Sequence, residues 1–238
     1  MINVKIFKLF YFYFKYNLLA SSFVEPIRRL KRRKTIRNKY KDILDDLLNK
    51  GICVIPEYLS EEQCATACKE LNAVLKSKSE FIQEQDDQRL FGVEHLVEAA
   101  SWLKNDVMMD KVSDYLTREP TNSFFILGGI LKAGQNGSSG GGWHRDAYGV
   151  QLKGMVYLTN VDESNGPFEY VKCSHKLSSV VKQHLNSDQK LLQDRFTHSE
   201  VQNFTLKENL EVQKVTAEKG TLVIFNSTGL HRGSPIKS

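Results

Sequence analysis

From residue 42 onward the hydrophobic positions follow first a helical and then an extended period. Ile43, Leu44, Leu47 and Leu48 recur at helical spacing and stop at Gly51, a glycine suited to end a helix. "ICVIP" follows, a β-branched run closed by Pro56, which predicts a short strand. Ser60-Glu-Glu-Gln63 is a capping box: the Ser60 hydroxyl accepts from a first-turn amide while Gln63 reaches back. The helix it opens is expected to bury Cys64, Ala67, Cys68, Leu71 and Leu75. Residues 94–118 read as helical again.

After residue 122 the pattern changes. "SFFILGGILKAG", "YGVQLKGMVYLTNV", "PFEYVK", "NFTLKENLEVQKVTA" and "GTLVIFN" are β-rich runs divided by Gly, Asn, Asp and Pro turns. A helix is expected only around 178–195, which argues against a parallel βαβ sheet. Helices followed by many short strands predict an α+β protein whose β part is a sandwich or jelly roll. No internal repeat or low-complexity tract interrupts it.

Residues 1–41 form a separate arm. Its aromatic-rich first half is broken by Lys5, Lys8 and Lys15, so no apolar run reaches the roughly 18 residues of a spanning helix. On a helical wheel these lysines share one face, with Phe7, Phe10, Tyr11 and Phe14 elsewhere. With the Arg28–Lys41 cluster this is the pattern of a helix lying on an anionic membrane surface. A secretory signal fits poorly, because Lys15 interrupts the apolar core and a basic block follows.

Charge sharpens this division. The formal net charge is +5 over 238 residues, but residues 1–41 carry +11 and the remainder −6. The globular part is therefore mildly acidic, and nucleic acid is not expected as a partner. The four cysteines, Cys53, Cys64, Cys68 and Cys173, lack the pattern of a disulfide framework or zinc site and read as reduced thiols. We expect a cytoplasmic protein, membrane-associated at the inner face through its arm.

Chemistry enters at "GGGWHRDAYG". The i, i+2 spacing lets His144 and Asp146 point to one side of an extended segment. A third ligand candidate, His231, follows the buried run "GTLVIF" after a glycine-containing turn. Two histidines and one carboxylate can occupy one face of an octahedral ferrous ion and leave three positions open. Trp143, beside the first ligand, is a candidate pocket wall. His184 and His198 default to the surface, and Asn165-Gly166-Pro167 reads as a hairpin turn.

"GICVIPEYLSEEQC", "WHRDAYGVQLKGMVYLTNVDESNGPFEYVKCSHK" and "GTLVIFNSTGLHRGSP", in this order, resemble the phytanoyl-CoA dioxygenase family of Fe(II)/2-oxoglutarate-dependent oxygenases from about Gly51 onward. The resemblance implies a double-stranded β-helix (jelly roll, cupin-like) over residues 42–238, with N-terminal helices packed on it. It also implies Fe(II) held by His144, Asp146 and His231, with 2-oxoglutarate and O2 as cosubstrates. The reaction implied is hydroxylation of a small or lipid-like molecule coupled to succinate formation. His175 then falls on a turn.

Two positions depart from the family. Cys173 stands where the family has a turn glycine. The family's arginine beyond the distal histidine, which pairs with the far carboxylate of 2-oxoglutarate, has no counterpart, since Ser238 ends the sequence. The expectation is a domain lacking its final strand, with Lys132 and Lys153 as stand-ins for that arginine. Arg232 should point away from His231's side, because a strand alternates faces. A non-catalytic jelly-roll binding module is the competing reading. Asp146 argues against halogenases, where a small residue leaves room for halide.

Overall fold

A computed structural model describes residues 26–77, 82–84, 88–91, 97–104, 106–117, 127–130, 142–185 and 193–236. Lys132, residues 1–25 and residues 186–192 lie outside them; the helix expected over 178–195 is observed over Leu177–Leu185, and its expected end is corrected because Arg195 begins a strand. The helices are α1 (Pro26–Lys39), α2 (Lys41–Asn49), α3 (Glu61–Lys76), α4 (Ala99–Lys104), α5 (Val107–Thr117), α6 (Leu177–Leu185) and α7 (His198–Glu208). The strands are β1 (Ile52–Ile55), β2 (Ile82–Glu84), β3 (Gln88–Phe91), β4 (Leu127–Ile130), β5 (Trp143–His144) and β6 (Leu152–Val156). They continue with β7 (Phe168–Val171), β8 (Arg195–Phe196), β9 (Val212–Val215), β10 (Leu222–Asn226) and β11 (His231–Gly233).

All described strand pairs are antiparallel, in sheets ordered β1-β10-β6, β8-β5-β11-β7-β9 and β2-β3-β4. Alternation along the strands explains how the first two sheets face each other. Ile52 of β1, Val223 and Phe225 of β10, Phe168 and Tyr170 of β7 and Val215 of β9 join one buried cluster between them. Leu222 and Ile224 of β10 turn outward, onto Ile36, Leu44, Leu47 and Val112 of the helical layer. The uninterrupted apolar run of β10 is thus the sequence of a strand covered on both faces. This is the jelly-roll layering with helices packed on one side.

Helix boundaries follow their caps. The Ser60–Gln63 capping box opens α3 as expected. The helical region from 94 resolves into α4 and α5, the latter capped by Asp106 Oδ1, which accepts from the Met109 amide at 2.6 Å. "NFTLKENLEVQKVTA" requires correction, because only Val212–Val215 is a strand. Its first half belongs to α7, which a Thr197–Glu200 capping box opens and left-handed Asn209 closes. Buried Val201, Phe204 and Thr205 form one face of that helix. All four cysteines are free thiols. Among the described residues no helix is long and apolar enough to cross a membrane.

Two tight approaches set the turn that carries His231. Tyr170 is fully buried, and its hydroxyl donates to the Asn226 carbonyl at 2.9 Å. A Cβ at Gly229 would fall 1.9 Å from that hydroxyl oxygen, so only glycine fits. Cys173, at φ +64°, adopts the left-handed turn geometry that favours glycine. Gly229→Ala is expected to cost about 3 kcal/mol in urea unfolding through overpacking against Tyr170. A variant within about 0.5 kcal/mol of the wild type would show that the turn is free to relax.

Candidate metal centre

Strand β5 lies between β8 and β11, and its register puts His144 directly opposite His231. Residues opposite one another in an antiparallel pair share a face. Both imidazoles therefore project between the sheets, with ring centroids 4.3 Å apart. The chain then leaves the sheet, and the Asp146 amide donates to the Ser227 carbonyl at 3.0 Å, which brings the carboxylate to the same spot. Asp146 Oδ1 lies 3.7 Å from His144 Nε2, and Oδ2 lies 3.2 Å from His231 Nε2. One donor atom from each residue fits within 4.8 Å of the others, the one such cluster among the described residues.

The protonation pattern is set by the backbone. His144 Nδ1 is 2.9 Å from the Gly142 carbonyl, and His231 Nδ1 is 2.9 Å from that of Gly229. A carbonyl can only accept, so each Nδ1 carries a proton and each ring turns its Nε2 toward Asp146. Three donor groups then converge on a spot that requires positive charge, from a shared proton or a cation. A cation relieves that arrangement, and the imidazole and carboxylate donors suit a divalent first-row metal.

Electrostatics point the same way. Burial, and then the neighbouring His231, push His144 below its ordinary 6.5, which keeps it neutral and ready to ligate. Burial alone would raise Asp146, but its hydrogen bond and charge interaction with His231, and then Lys153, hold its carboxyl well below the usual range. Lys153 Nζ is 2.9 Å from Asp146 Oδ2. Lys153 pairs with Phe225 across β6 and β10, which explains why it points into the sandwich. Phe225 and Phe168 pack beside His231, with centroids at 5.1 and 5.7 Å.

The structure thus brings His144, Asp146, His231 and Lys153 together and places Trp143 elsewhere. One residue from His144, Trp143 faces outward into a cluster with Phe196, Val201, Phe204 and Leu230 beneath α7. Arg232 also faces outward: its guanidinium lies 4.7 Å from the Trp143 ring centroid and pairs with Glu169 at 2.5 Å. His175 sits in the turn after β7, its Nε2 3.3 Å from the Leu48 carbonyl. His184 stacks on Tyr148, and His198 begins α7. Arg145, fully buried and lying between His144 and Asp146 in the chain, was not singled out by its sequence, where a charged residue beside two polar ones reads as surface.

The fold and this triad define the class, that of the iron- and 2-oxoglutarate-dependent oxygenases. The chain belongs to the phytanoyl-CoA dioxygenase family, whose model, described as "Phytanoyl-CoA dioxygenase (PhyH)", matches residues 47–238. No curated protein sequence matches the chain. Among solved structures it is similar to EctD from S. alaskensis with 2-oxoglutarate and 5-hydroxyectoine (TM-score 0.62, 14% identity, covering 82% of this chain and 71% of that one). It is also similar to the epimerase SnoN in complex with Fe3+, alpha ketoglutarate and nogalamycin RO (0.60, 13%, 84% and 79%). HygX from Streptomyces hygroscopicus, with nickel and 2-oxoglutarate bound, is a third (0.58, 14%, 83% and 81%).

Metal binding should appear as stability. Co(II) at about 100 times its Kd is expected to stabilise the wild type by about 2.7 kcal/mol. Asp146→Asn and His231→Ala should each abolish that gain. Protons compete for His144 and then for Asp146, so the gain should hold at neutral pH and shrink as the pH falls below 6.5. Equal stabilisation of wild type and Asp146→Asn would place the ion elsewhere.

Proposed function

We propose that this chain is an Fe(II)/2-oxoglutarate-dependent dioxygenase that hydroxylates a small or lipid-like organic substrate. The observation that carries this reading is the convergence of two imidazole Nε2 atoms and one carboxylate, with each Nδ1 held by its own backbone. His144, Asp146 and His231 would hold Fe(II), and the bound metal would supply activation of O2 coupled to decarboxylation of 2-oxoglutarate. A three-residue face leaves positions for both cosubstrates. The protein's own part is to orient the ligands, keep them deprotonated and screen the reacting atoms from water with Phe168 and Phe225.

Lys153 is the proposed partner for a carboxylate of 2-oxoglutarate. It points inward and is ion-paired only 2.9 Å from Asp146. A metal on Asp146 would take over that charge and release the ammonium to the cosubstrate. Lys132, the other proposed stand-in, precedes the same glycine run. Trp143 would act on the cosubstrate only through the backbone it shares with His144. The same ion pair also favours the second reading, a non-catalytic binding module, because a lysine that stays on Asp146 offers 2-oxoglutarate nothing.

Anaerobic calorimetry separates the two. Micromolar binding of 2-oxoglutarate to the Fe(II)-loaded protein, about −8 kcal/mol, is expected, lost in His144→Ala and weakened at least tenfold in Lys153→Met. Iron retention without 2-oxoglutarate binding would favour the non-catalytic module. Succinate release on admitting O2 completes the assignment.

Peripheral membrane contact through residues 1–41 is the second part of the proposal, and it agrees with a lipid-like substrate. The sequence of α1 carries eight Lys/Arg and no acid. It adjoins the domain through Arg33, whose guanidinium lies 4.7 Å from the Tyr115 ring centroid and donates to the Tyr115 carbonyl. Co-sedimentation with phosphatidylserine vesicles, suppressed by high salt and absent with phosphatidylcholine, is the expected outcome. Equal binding to both lipids would remove the electrostatic basis.

A further inference from the structure

Arg145 is the residue between His144 and Asp146, and its side chain leaves on the opposite side of the segment. It is 2% exposed and ends in a polar knot behind the metal centre. Nη1 donates to the Ser174 carbonyl at 2.8 Å and also to the Thr228 carbonyl. Nη2 donates to Gln183 Oε1 on α6. These partners are neutral, and no acid among the described residues pairs with the guanidinium.

The Thr228 contact lies one residue before Gly229, whose carbonyl orients His231. The Ser174 contact reinforces it, because the Ser174 hydroxyl accepts from the Leu230 amide at 2.8 Å and donates to the Val171 carbonyl at 2.6 Å. One side chain therefore joins the segment carrying His144 and Asp146 to both segments flanking His231. The β5–β11 ladder is one residue pair long. The other links to the turn lie at or beyond Asp146: its amide donates to the Ser227 carbonyl at 3.0 Å, the Ser227 amide to the Gln151 carbonyl at 2.8 Å and the Thr228 hydroxyl to the Gly149 carbonyl at 2.5 Å. Arg145 is the side chain that ties the turn from the opposite side of the segment.

We propose that Arg145 is a positioning residue of the metal centre, fixing the separation of His231 from His144 and Asp146 by clamping the β10–β11 turn to the end of β5. Stability does not explain it: a buried cation with neutral partners carries a large desolvation cost, and an apolar side chain of similar volume is often at least as stable. Placement does explain it, because a metal ion discriminates ligand distances of a few tenths of an ångström. The proposal rests on the metal reading of the triad and not on the reaction it supports.

The test uses the full chain, with Co(II) as the probe and three readouts: its dissociation constant, its visible d–d spectrum and the urea midpoint of the metal-free protein. Arg145→Met is expected to keep a midpoint near that of the wild type while binding Co(II) 10–100-fold more weakly, with a changed spectrum. Arg145→Lys, which can still reach a carbonyl, should recover part of the affinity. Gln183→Met, which removes one anchor of the guanidinium, should show a smaller loss in the same direction. Wild-type affinity and spectrum in Arg145→Met would overturn the proposal. So would a Gln183→Met protein unchanged in both, should Arg145→Met fail to fold. A wild type unable to hold Co(II) would instead sink the metal reading itself.

Discussion

Two imidazoles and a carboxylate pointed at one another, and the positive charge that such a cluster requires, form the constraint on which this structure turns. His231 Nε2 and Asp146 Oδ2 stand 3.2 Å apart, and His144 Nε2 joins them, because both Nδ1 protons are committed to backbone carbonyls. Such an arrangement is unfavourable without positive charge. Lys153 supplies part of that charge from one side. A divalent ion between the three would supply the rest.

Holding the acceptors together falls to the fold. His231 rides on a turn fixed by Tyr170 below it and by Gly229, which leaves the phenol room. β10, the strand feeding that turn, is buried on both faces between the helical layer and the second sheet, so its end cannot drift. The opposing β5 is only two residues long, paired with β8 on one side and through a single residue pair with β11 on the other, and Arg145 adds a side-chain link to the turn. The centre is therefore rigid on its β10–β11 side and clamped on its β5 side.

Much of this was legible in the sequence, for physical reasons that differ by residue. The i, i+2 spacing of His144 and Asp146 and the apolar run before His231 are local signals, and the family resemblance joined them. The α+β architecture followed from the change of period near residue 122. "NFTLKENL" misled because its apolar residues fit a strand as well as a helix, while the Thr197–Glu200 capping box that decides the matter lies just before it. Trp143 was placed beside the pocket by adjacency, yet alternation along β5 sends it beneath α7. Arg145 could not be read at all, since Ser174, Gln183 and Thr228 become its neighbours only when the chain closes.

X-ray absorption at the iron K-edge of the anaerobic, Fe(II)-loaded protein tests the central claim most directly. The account predicts the multiple-scattering signature of two imidazoles with oxygen completing the shell, reduced to one imidazole in His231→Ala. A spectrum without imidazole scattering, or one that His231→Ala leaves unchanged, would contradict it.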